Sequence, residues 1–154
     1  MTARIVCRAA QAGDLTQIAA LLGGLFAIER DFRPDAARQL AALRLLLARE
    51  DALLWVADAA REGGEVVGFC SVQRLVSTAE GGAVGLVEDV VVDAAWRARG
   101  IGRALLEGAE AWARRQGMSR LQLLADEDNP AAARFYDRLG WARGNMRNRV
   151  RLLR

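Results

Sequence analysis

The chain has 154 residues, enough for one domain with a buried core and too few for two ordinary ones. Hydrophobic residues make up 53% and charged residues 27%, a balance typical of globular proteins and unlike that of disordered chains. The chain has no histidine, and all 22 of its Lys+Arg residues are arginine. This composition excludes catalytic triads and metal sites that need histidine, and Schiff bases and Walker-type phosphate loops that need lysine. We expect a single domain over residues 1–154.

The cysteines and the charge distribution bear on compartment and partners. Cys7 and Cys70 lie far apart inside apolar runs, so we expect core thiols rather than a disulfide scaffold or a nucleophile. No secretion signal and no apolar run of membrane-spanning length is evident, so we expect a cytoplasmic protein without a membrane partner. The net charge of +3 is spread along the chain, which argues for modest anion affinity and against a nucleic-acid partner.

The first part of the chain predicts a strand followed by two helices. An apolar pair in residues 3–8 indicates the strand, and Asp14 is a good N-cap for the helix that follows. Helical spacing of leucines predicts that helix, and Gly23-Gly24 weakens or bends it. Pro34 is suited to the first turn of a second helix, which should end near residues 50–51.

After residue 51 the hydrophobic pattern changes from helical to extended. Strands are predicted over residues 53–57, 66–75 and 84–92. A Gly-Gly turn joins the first two of them as a hairpin. A helix is predicted over residues 100–116, and Gly117 is placed as its C-terminal stop.

The last part of the chain completes a mixed architecture. The pattern predicts a strand over residues 121–125, a helix over residues 130–139, and a pair of short strands within residues 141–153. The element order predicts an α/β fold of the α+β type, with a mixed central sheet of about six to seven strands and helices on both faces. The strands at 84–92 and 121–125 are joined through a helix, so they should pair in parallel.

The loop after the strand at 84–92 is a candidate anion site. Glycines stand where the next helix begins, so the N–H groups of its first turn and the positive end of its dipole favour a phosphate or pyrophosphate. Arg97, Arg99 and Arg103 add positive charge at the same place. The alternative is a tight turn with solvated arginines, but strand, loop, helix and arginines in register favour the anion site. The dinucleotide fingerprint does not fit, because it needs a third glycine.

Several segments of this half of the chain resemble the GNAT superfamily of acyl-CoA N-acyltransferases. Residues 97–102, Arg-Ala-Arg-Gly-Ile-Gly, match its acyl-CoA-binding pattern Gln/Arg-x-x-Gly-x-Gly/Ala. Further matching segments follow in the family's order at residues 121–126, 129–136 and 139–141. The resemblance covers residues 84–142 at the level of motifs. It implies the GNAT fold and acetyl-CoA as co-substrate, with no metal.

The resemblance also implies the residues that bind the cofactor. Main-chain groups of three valines would pair with the pantetheine arm, and the amides from Arg97 to Arg103 would hold the pyrophosphate. The implied cofactor-binding residues are Val90, Val91, Val92, Arg97, Ala98, Arg99, Gly100, Ile101, Gly102, Arg103 and Asn129. Ala94 departs from the pattern, since many members have proline there.

Two residues are candidates for proton transfer. Tyr136, the only tyrosine, matches the family's general acid, the alternative being a core aromatic paired with Phe135. Glu88 is the candidate base, directly or through water, because a carboxylate inside an apolar run is expensive to bury without a purpose. The Glu-Asp pair resembles that of the polyamine-acetylating members. Asp89 is the rival base, and pairing of Glu88 with a structural arginine is the other alternative. Strand alternation places Glu88 and Asp89 on opposite faces.

These features predict an N-acetyltransferase that moves an acetyl group from acetyl-CoA to a primary amine of a small molecule, polyamine-like or aminoglycoside-like. Candidate acidic contacts for a cationic amine are Glu29, Asp31, Asp35 and Glu80. A protein or peptide amine is the alternative acceptor. A non-catalytic acyl-CoA-binding regulatory domain is a further alternative, against which the presence of both Glu88 and Tyr136 argues. The resemblance also implies a homodimer as an option, with the C-terminal strands as its contact.

Overall fold

The structure, a computed structural model, describes residues 4–29, 31–59 and 64–153. The chain forms two units, Met1–Leu123 and Leu124–Arg154. The elements of the first unit are β1 (Val6–Ala9), α1 (Leu15–Ile28), α2 (Ala36–Leu47), β2 (Ala52–Asp58), β3 (Val66–Ser77), β4 (Gly82–Val92), α3 (Ile101–Arg115) and β5 (Leu121–Leu123). The second unit contains α4 (Pro130–Arg138). In the described ranges, no helix combines the length and the apolar character needed to cross a membrane.

The first unit contains a five-stranded sheet in the order β1-β2-β3-β4-β5. The first four strands pair antiparallel, and β5 pairs parallel with β4. The chain passes from β4 to β5 through α3, the crossover that a parallel pair requires. The predicted hairpin of β2 and β3 and the predicted parallel pair are therefore confirmed. Part of the predicted Gly-Gly turn of that hairpin lies outside the described residues.

Helices cover both faces of the sheet, as predicted. On one face, α1 and α2 pack over buried side chains of the strands, in a core that includes Ile18, Leu22, Leu43, Val56 and Phe69. On the other face α3 approaches the sheet closely at Gly68 of β3. A Cβ at this position would stand 3.1 Å from side-chain atoms of both Ile101 and Leu105. Gly68 therefore sets how near α3 can lie to β3.

The two cysteines are free thiols, and Cys70 is fully buried while Cys7 is half-buried. Burial raises the pKa of both thiols, that of Cys70 to about 12. A thiol with a raised pKa is protonated and a poor nucleophile at neutral pH. The expectation of unreactive core thiols is confirmed for Cys70.

Gly108 marks the tightest contact between α3 and the sheet. A Cβ at Gly108 would lie 2.3 Å from Nε1 of Trp55 in β2, and the ring atoms beside it are also within 3.0 Å. We expect Gly108→Ala to lower the free energy of unfolding by about 1–3 kcal/mol, because the indole must leave its packed position. Gly24 in α1 is the matched control, since a Cβ there would meet nothing within 4 Å. Gly24→Ala should stabilise by about 0.5–1 kcal/mol through helix propensity.

Chemical denaturation of both alanine variants measures this contact. The two free-energy changes should have opposite signs. A Gly108→Ala protein as stable as the Gly24→Ala protein would contradict the close packing of Trp55 on α3.

α1 begins directly after Asp14, as predicted, but the Asp14 side chain makes no capping hydrogen bond to the helix. The Asp14 carboxylate instead accepts a hydrogen bond from the Gln11 N–H at 2.7 Å and pairs with Arg8 at 2.7 Å. A charged partner binds a carboxylate more strongly than a single backbone amide does. α1 also continues through Gly23-Gly24 without a break. Burial of its apolar face outweighs the poor helix propensity of glycine.

The second helix begins later than predicted. Pro34 lies before it, and Asp35 is the N-cap, whose Oδ1 accepts a hydrogen bond from the Arg38 N–H at 3.1 Å. Asp is among the best N-cap residues, so it fixes the start of the helix ahead of the proline signal. The helix also ends at Leu47 rather than near residues 50–51.

The pair of short strands predicted within residues 141–153 is wrong. No strand occurs among the described residues of the second unit, so the sheet in the described part of the chain has five strands rather than six to seven. Apolar side chains of this segment are exposed, Met146 by 97% and Leu153 by 92%. An alternating pattern forms a strand only where a neighbouring strand supplies hydrogen bonds and cross-strand contacts. Here the pattern lacks both.

Candidate functional site

A one-residue bulge interrupts β4 near the C-terminal end of the strand. Phe69 of β3 pairs with Val91 and Ser71 pairs with Glu88, so two residues of β4 lie opposite Cys70 alone. One of the two is Asp89, whose φ of +58° lies in the left-handed region. This conformation costs a residue other than glycine about 1–2 kcal/mol. A bulge redirects side chains, so the predicted strict alternation along this strand is wrong from Asp89 onward.

The edge of β4 that faces away from β3 loses its partner near the bulge. β5 pairs with β4 only at Gly85, Leu86 and Val87. Beyond Val87, no strand in the described part of the first unit pairs with this edge. Main-chain groups of residues 88–92 that point away from β3 therefore have no strand partner there and can pair with a ligand. An extended ligand with amide groups can bind such an edge as an added strand does.

The loop between β4 and α3 contains two left-handed residues, Ala98 with φ +59° and Gly100 with φ +77°. Gly100 is the N-cap of α3, and the hydrogen bond from the Ala104 N–H to its carbonyl closes the first turn at 3.0 Å. The N–H groups of residues 101–103 therefore have no partner within the helix. A Cβ at Gly100 would meet nothing within 4 Å, so the space before the helix is open. This loop can hold a phosphate or pyrophosphate.

The three predicted arginines of the loop are exposed, and each makes a local contact. Arg97 Nε donates to the Val92 carbonyl at 3.1 Å. The guanidinium of Arg99 lies 4.9 Å from the ring centre of Trp96, and Arg103 pairs with a glutamate one turn further along α3. A ligand that uses the Val92 carbonyl must displace Arg97, which would free that guanidinium for an anion.

The two acidic residues at the bulge differ in environment. Glu88 is exposed and Asp89 is half-buried, so the expected burial of Glu88 is wrong. Burial raises the pKa of the Asp89 carboxyl, and the negative charges of Glu88 and Glu29 add to this effect, so that the pKa is about 7. Among the described residues, no hydrogen bond to the Asp89 carboxylate opposes this shift. Asp89 can therefore change protonation state near neutral pH.

The four carboxylates predicted to contact an amine have different surroundings. Glu29 is the C-cap residue of α1, and its charge acts on Asp89. Asp35 caps α2, and Glu80 pairs with an arginine at 3.4 Å. Asp31 is exposed. Of the four, Glu29 is the one whose charge acts on the carboxyl group at the bulge.

Asn129 and Tyr136 belong to the second unit. The Asn129 side chain is the N-cap of α4, and its Oδ1 accepts a hydrogen bond from the Ala132 N–H at 3.1 Å. The Tyr136 ring lies edge-on to Phe135, with 5.2 Å between ring centres, and edge-on to Trp141 at 6.3 Å. Asn129 therefore has a helix-capping role that the sequence analysis did not assign. The aromatic pair of Phe135 and Tyr136, named as the alternative reading, is present.

The bulge itself was not predicted, although the sequence carries a signal for it. Acidic residues are depleted in strand interiors, and two in succession inside an apolar run indicate an irregular strand. In chemical terms the first unit combines an open strand edge, a helix N-terminus at α3 that can hold an anion, and a carboxyl group with a pKa near 7. An extended ligand with a phosphate end can lie along β4, with its other end beside a proton acceptor.

Known proteins resemble the chain in sequence and structure. A family model described as the acetyltransferase (GNAT) family matches residues 22–141. A mycothiol acetyltransferase from Thermobispora bispora is 40% identical over 86 residues, 54% of this chain and 29% of the relative. An aminoglycoside N(6')-acetyltransferase type 1 from Stenotrophomonas maltophilia is 37% identical over 91 residues, 57% of this chain and 58% of the relative. A solved acetyltransferase from Trypanosoma brucei has a TM-score of 0.77 at 28% identity and covers 97% of this chain and 100% of that one. The chain thus spans less than two thirds of both curated relatives.

Proposed function

Because the chain belongs to the acetyltransferase (GNAT) family, we propose that it transfers an acetyl group from acetyl-CoA to a primary amine of a small molecule. The observation that carries the proposal is the open edge of β4, which leads directly into the anion-binding N-terminus of α3. An acyl-CoA has the two matching parts, an extended pantetheine arm with amide groups and a pyrophosphate. No histidine or lysine is needed to bind either part.

The proposed acetyl-CoA site runs from the α3 loop back along β4. The N–H groups of residues 97–103 hold the pyrophosphate, and main-chain groups of Val90, Val91 and Val92 pair with the pantetheine arm. Asn129 is proposed to lie near the cofactor. With the pyrophosphate fixed at the loop, the arm extends toward the bulge at about 3.3 Å per residue of β4. The thioester end then reaches residues 88–90.

The proposed acceptor is a small cationic amine, polyamine-like or aminoglycoside-like. Glu29, Glu88 and Asp89 give the thioester end of the site a negative charge, which attracts an ammonium group. The names of two relatives support a small-molecule acceptor, since they are a mycothiol acetyltransferase and an aminoglycoside acetyltransferase.

In the proposed reaction the amine nitrogen attacks the carbonyl carbon of the thioester. The C–N bond forms and the C–S bond breaks, so the thiolate of coenzyme A leaves. A carboxylate of the Glu88-Asp89 pair accepts the ammonium proton, directly or through a water molecule. The Tyr136 phenol gives its proton to the departing thiolate. A carboxylate and a phenol thereby do the proton transfers that histidine does in many enzymes.

Calorimetric titration with acetyl-CoA tests the proposed cofactor site. Gly100 and Gly117 have similar left-handed φ values, +77° and +71°, and a Cβ at either would meet nothing within 4 Å. Each alanine variant should therefore lose a similar amount of stability, about 1–2 kcal/mol. Only Gly100→Ala should weaken acetyl-CoA binding, by about tenfold or more, because its methyl group projects into the space before α3.

The Gly117→Ala variant is the control for backbone strain, since Gly117 lies beyond the other end of α3. It should bind acetyl-CoA with the affinity of the unaltered protein. Equal affinities of the two variants would remove the loop from the cofactor site.

A further inference from the structure

We infer that Asp89, rather than Glu88, is the catalytic base that takes the proton from the acceptor amine. The inference rests on the proposed acetyl transfer and assigns one step of it. Its basis is the bulge in β4, which turns Asp89 out of the regular alternation of the strand. Glu88, the residue before it, keeps its ladder position opposite Ser71 and remains exposed.

Asp89 lies on β4 just beyond the point where this strand stops pairing with β5. The last pair between β4 and β5 is Val87 with Leu123. The proposed pantetheine contacts begin at Val90. Asp89 stands between these two points, where the open edge begins and where the thioester end of the arm is proposed to lie. Its left-handed φ is unusual for a residue with a side chain and is typical of sites where function maintains the conformation.

The surroundings of the Asp89 carboxyl favour its protonated form. Among the described residues, the titratable groups that act on it are Glu88 on its own strand and Glu29 at the end of α1. Neither of these two groups is a cation. By contrast, the largely buried carboxylates of Asp14 and Asp58 share Arg8. Burial beside like charges favours the protonated form of a carboxyl group, so Asp89 holds a proton more tightly than an exposed aspartate.

The proton balance of the step follows. The ammonium gives one proton to Asp89, and the neutral amine attacks the thioester. As the C–N bond forms and the C–S bond breaks, the Tyr136 phenol gives its proton to the thiolate. The second proton lost by the nitrogen returns to the phenolate through solvent. Asp89 then releases its proton to solvent, so each turnover releases one proton overall.

The pH dependence of turnover separates the two carboxylates. The assay uses acetyl-CoA and the better acceptor of spermidine and kanamycin. Below about pH 7, kcat/KM of the unaltered protein should fall tenfold per pH unit, because protonated Asp89 accepts no proton. Above that pH, kcat/KM should be constant. Asp89→Asn should lower kcat/KM at pH 7 by about 100-fold or more. Its remaining activity should rise with pH toward the pKa of the amine, because only amine already neutral can then react.

Glu88→Gln is the matched control for this measurement. It removes one negative charge beside Asp89, so the pH at which kcat/KM levels off should move slightly lower while the break persists. The KM for acetyl-CoA should be unchanged in both variants. A break near pH 7 that persists in Asp89→Asn, or one that vanishes only in Glu88→Gln, would overturn the inference.

Thermal unfolding gives a readout that does not depend on turnover. The pKa of Asp89 is higher in the folded protein than the value of 3.8 for an exposed aspartate. Between those two pKa values the folded state holds a proton that the unfolded state has released, so stability falls as pH rises from about 4 to about 7. Asparagine does not titrate, so the Asp89→Asn protein should not lose stability in this way as the pH rises. Its Tm should rise relative to the unaltered protein by about 10 °C between pH 4 and pH 8.

The two proposals fail in different ways. If the unaltered protein neither binds acetyl-CoA nor releases thiol with any amine, the proposed function fails, and the assignment of the base fails with it. If the unaltered protein is active and Asp89→Asn keeps both its rate and its pH profile, only the role of Asp89 is wrong. If the Tm difference between Asp89→Asn and the unaltered protein is the same at pH 4 and at pH 8, Asp89 is not protonated in the folded protein near neutral pH.

Discussion

Replacing Arg8 with methionine should lower the free energy of unfolding by about 3–5 kcal/mol at pH 7, because two largely buried carboxylates would lose their shared cation. Arg8 lies 2.7 Å from an Asp14 oxygen and 2.9 Å from an Asp58 oxygen, and the side chains of these two residues are only 11% and 13% exposed. These contacts join β1 to the start of α1 and to the end of β2. Denaturant unfolding of the two proteins at pH 7 measures the difference.

The loss should shrink at low pH. Arg8 holds the pKa of Asp14 below its ordinary value, so the stability that this pair contributes is present at neutral pH and declines as the carboxylate is protonated. Arg114→Met is the control, since Arg114 pairs with Glu110 on the exposed surface of α3. It should cost about 0.5 kcal/mol or less. Equal losses for Arg8→Met and Arg114→Met would contradict a structural role for the Arg8 cluster.

Tyr136→Phe should lower kcat by about 100-fold or more and leave the KM for acetyl-CoA unchanged. Phenylalanine keeps the ring that contacts Phe135 and Trp141 and removes only the hydroxyl group. The departing thiolate would then have to take its proton from water. Thiol release with a small amine acceptor measures kcat.

A change of packing alone has a different signature. Trp141→Phe alters the other aromatic neighbour of Tyr136 and keeps the phenol. It should change kcat less than about threefold, a factor that corresponds to well under 1 kcal/mol of barrier. If Tyr136→Phe has the kcat of the unaltered protein, Tyr136 is a core aromatic and the acid is another group.

The order of helices and strands could be predicted because each element shows its own hydrophobic period. The amphipathic face of α3, with Leu105, Ala109 and Ala113 buried, is visible in the sequence. The parallel pairing of β4 and β5 followed from the helix between them. The start of α1 after Asp14 could be predicted, but the role of the Asp14 side chain could not, because it pairs with a residue of the preceding strand rather than with its own helix.

The strands expected within residues 141–153 show the limit of pattern analysis. Alternation of apolar and polar residues indicates which side chains would lie on each face of a strand. It does not indicate which neighbouring strand would pair with it. The segment has four arginines and exposed apolar side chains such as Met146 and Leu153. Strand formation depends on hydrogen bonds to another segment, and these cannot be found from local sequence.

The candidate site also has one part that the sequence predicts and another part that it does not. The loop before α3 and the start of that helix could be predicted because all their parts, from Arg97 to Arg103, are contiguous in sequence. The environment of Asp89 could not be predicted, because it depends on a left-handed backbone angle and on Glu29, which is 60 residues away. Sequence reasoning therefore named Glu88 and Asp89 as candidates but assumed that the exposed Glu88 was buried.

The activity proposed for the chain is the transfer of acetyl groups from acetyl-CoA to a small amine. Incubation of the protein with acetyl-CoA and a panel of spermidine, kanamycin and a short peptide, with thiol release and the mass of each amine followed together, tests it most directly. We expect thiol release that requires a small cationic amine, with one acetyl group gained by the amine for each thiol released. Absence of thiol release with every amine, or release that is independent of the amine and leaves it unmodified, would contradict the claim.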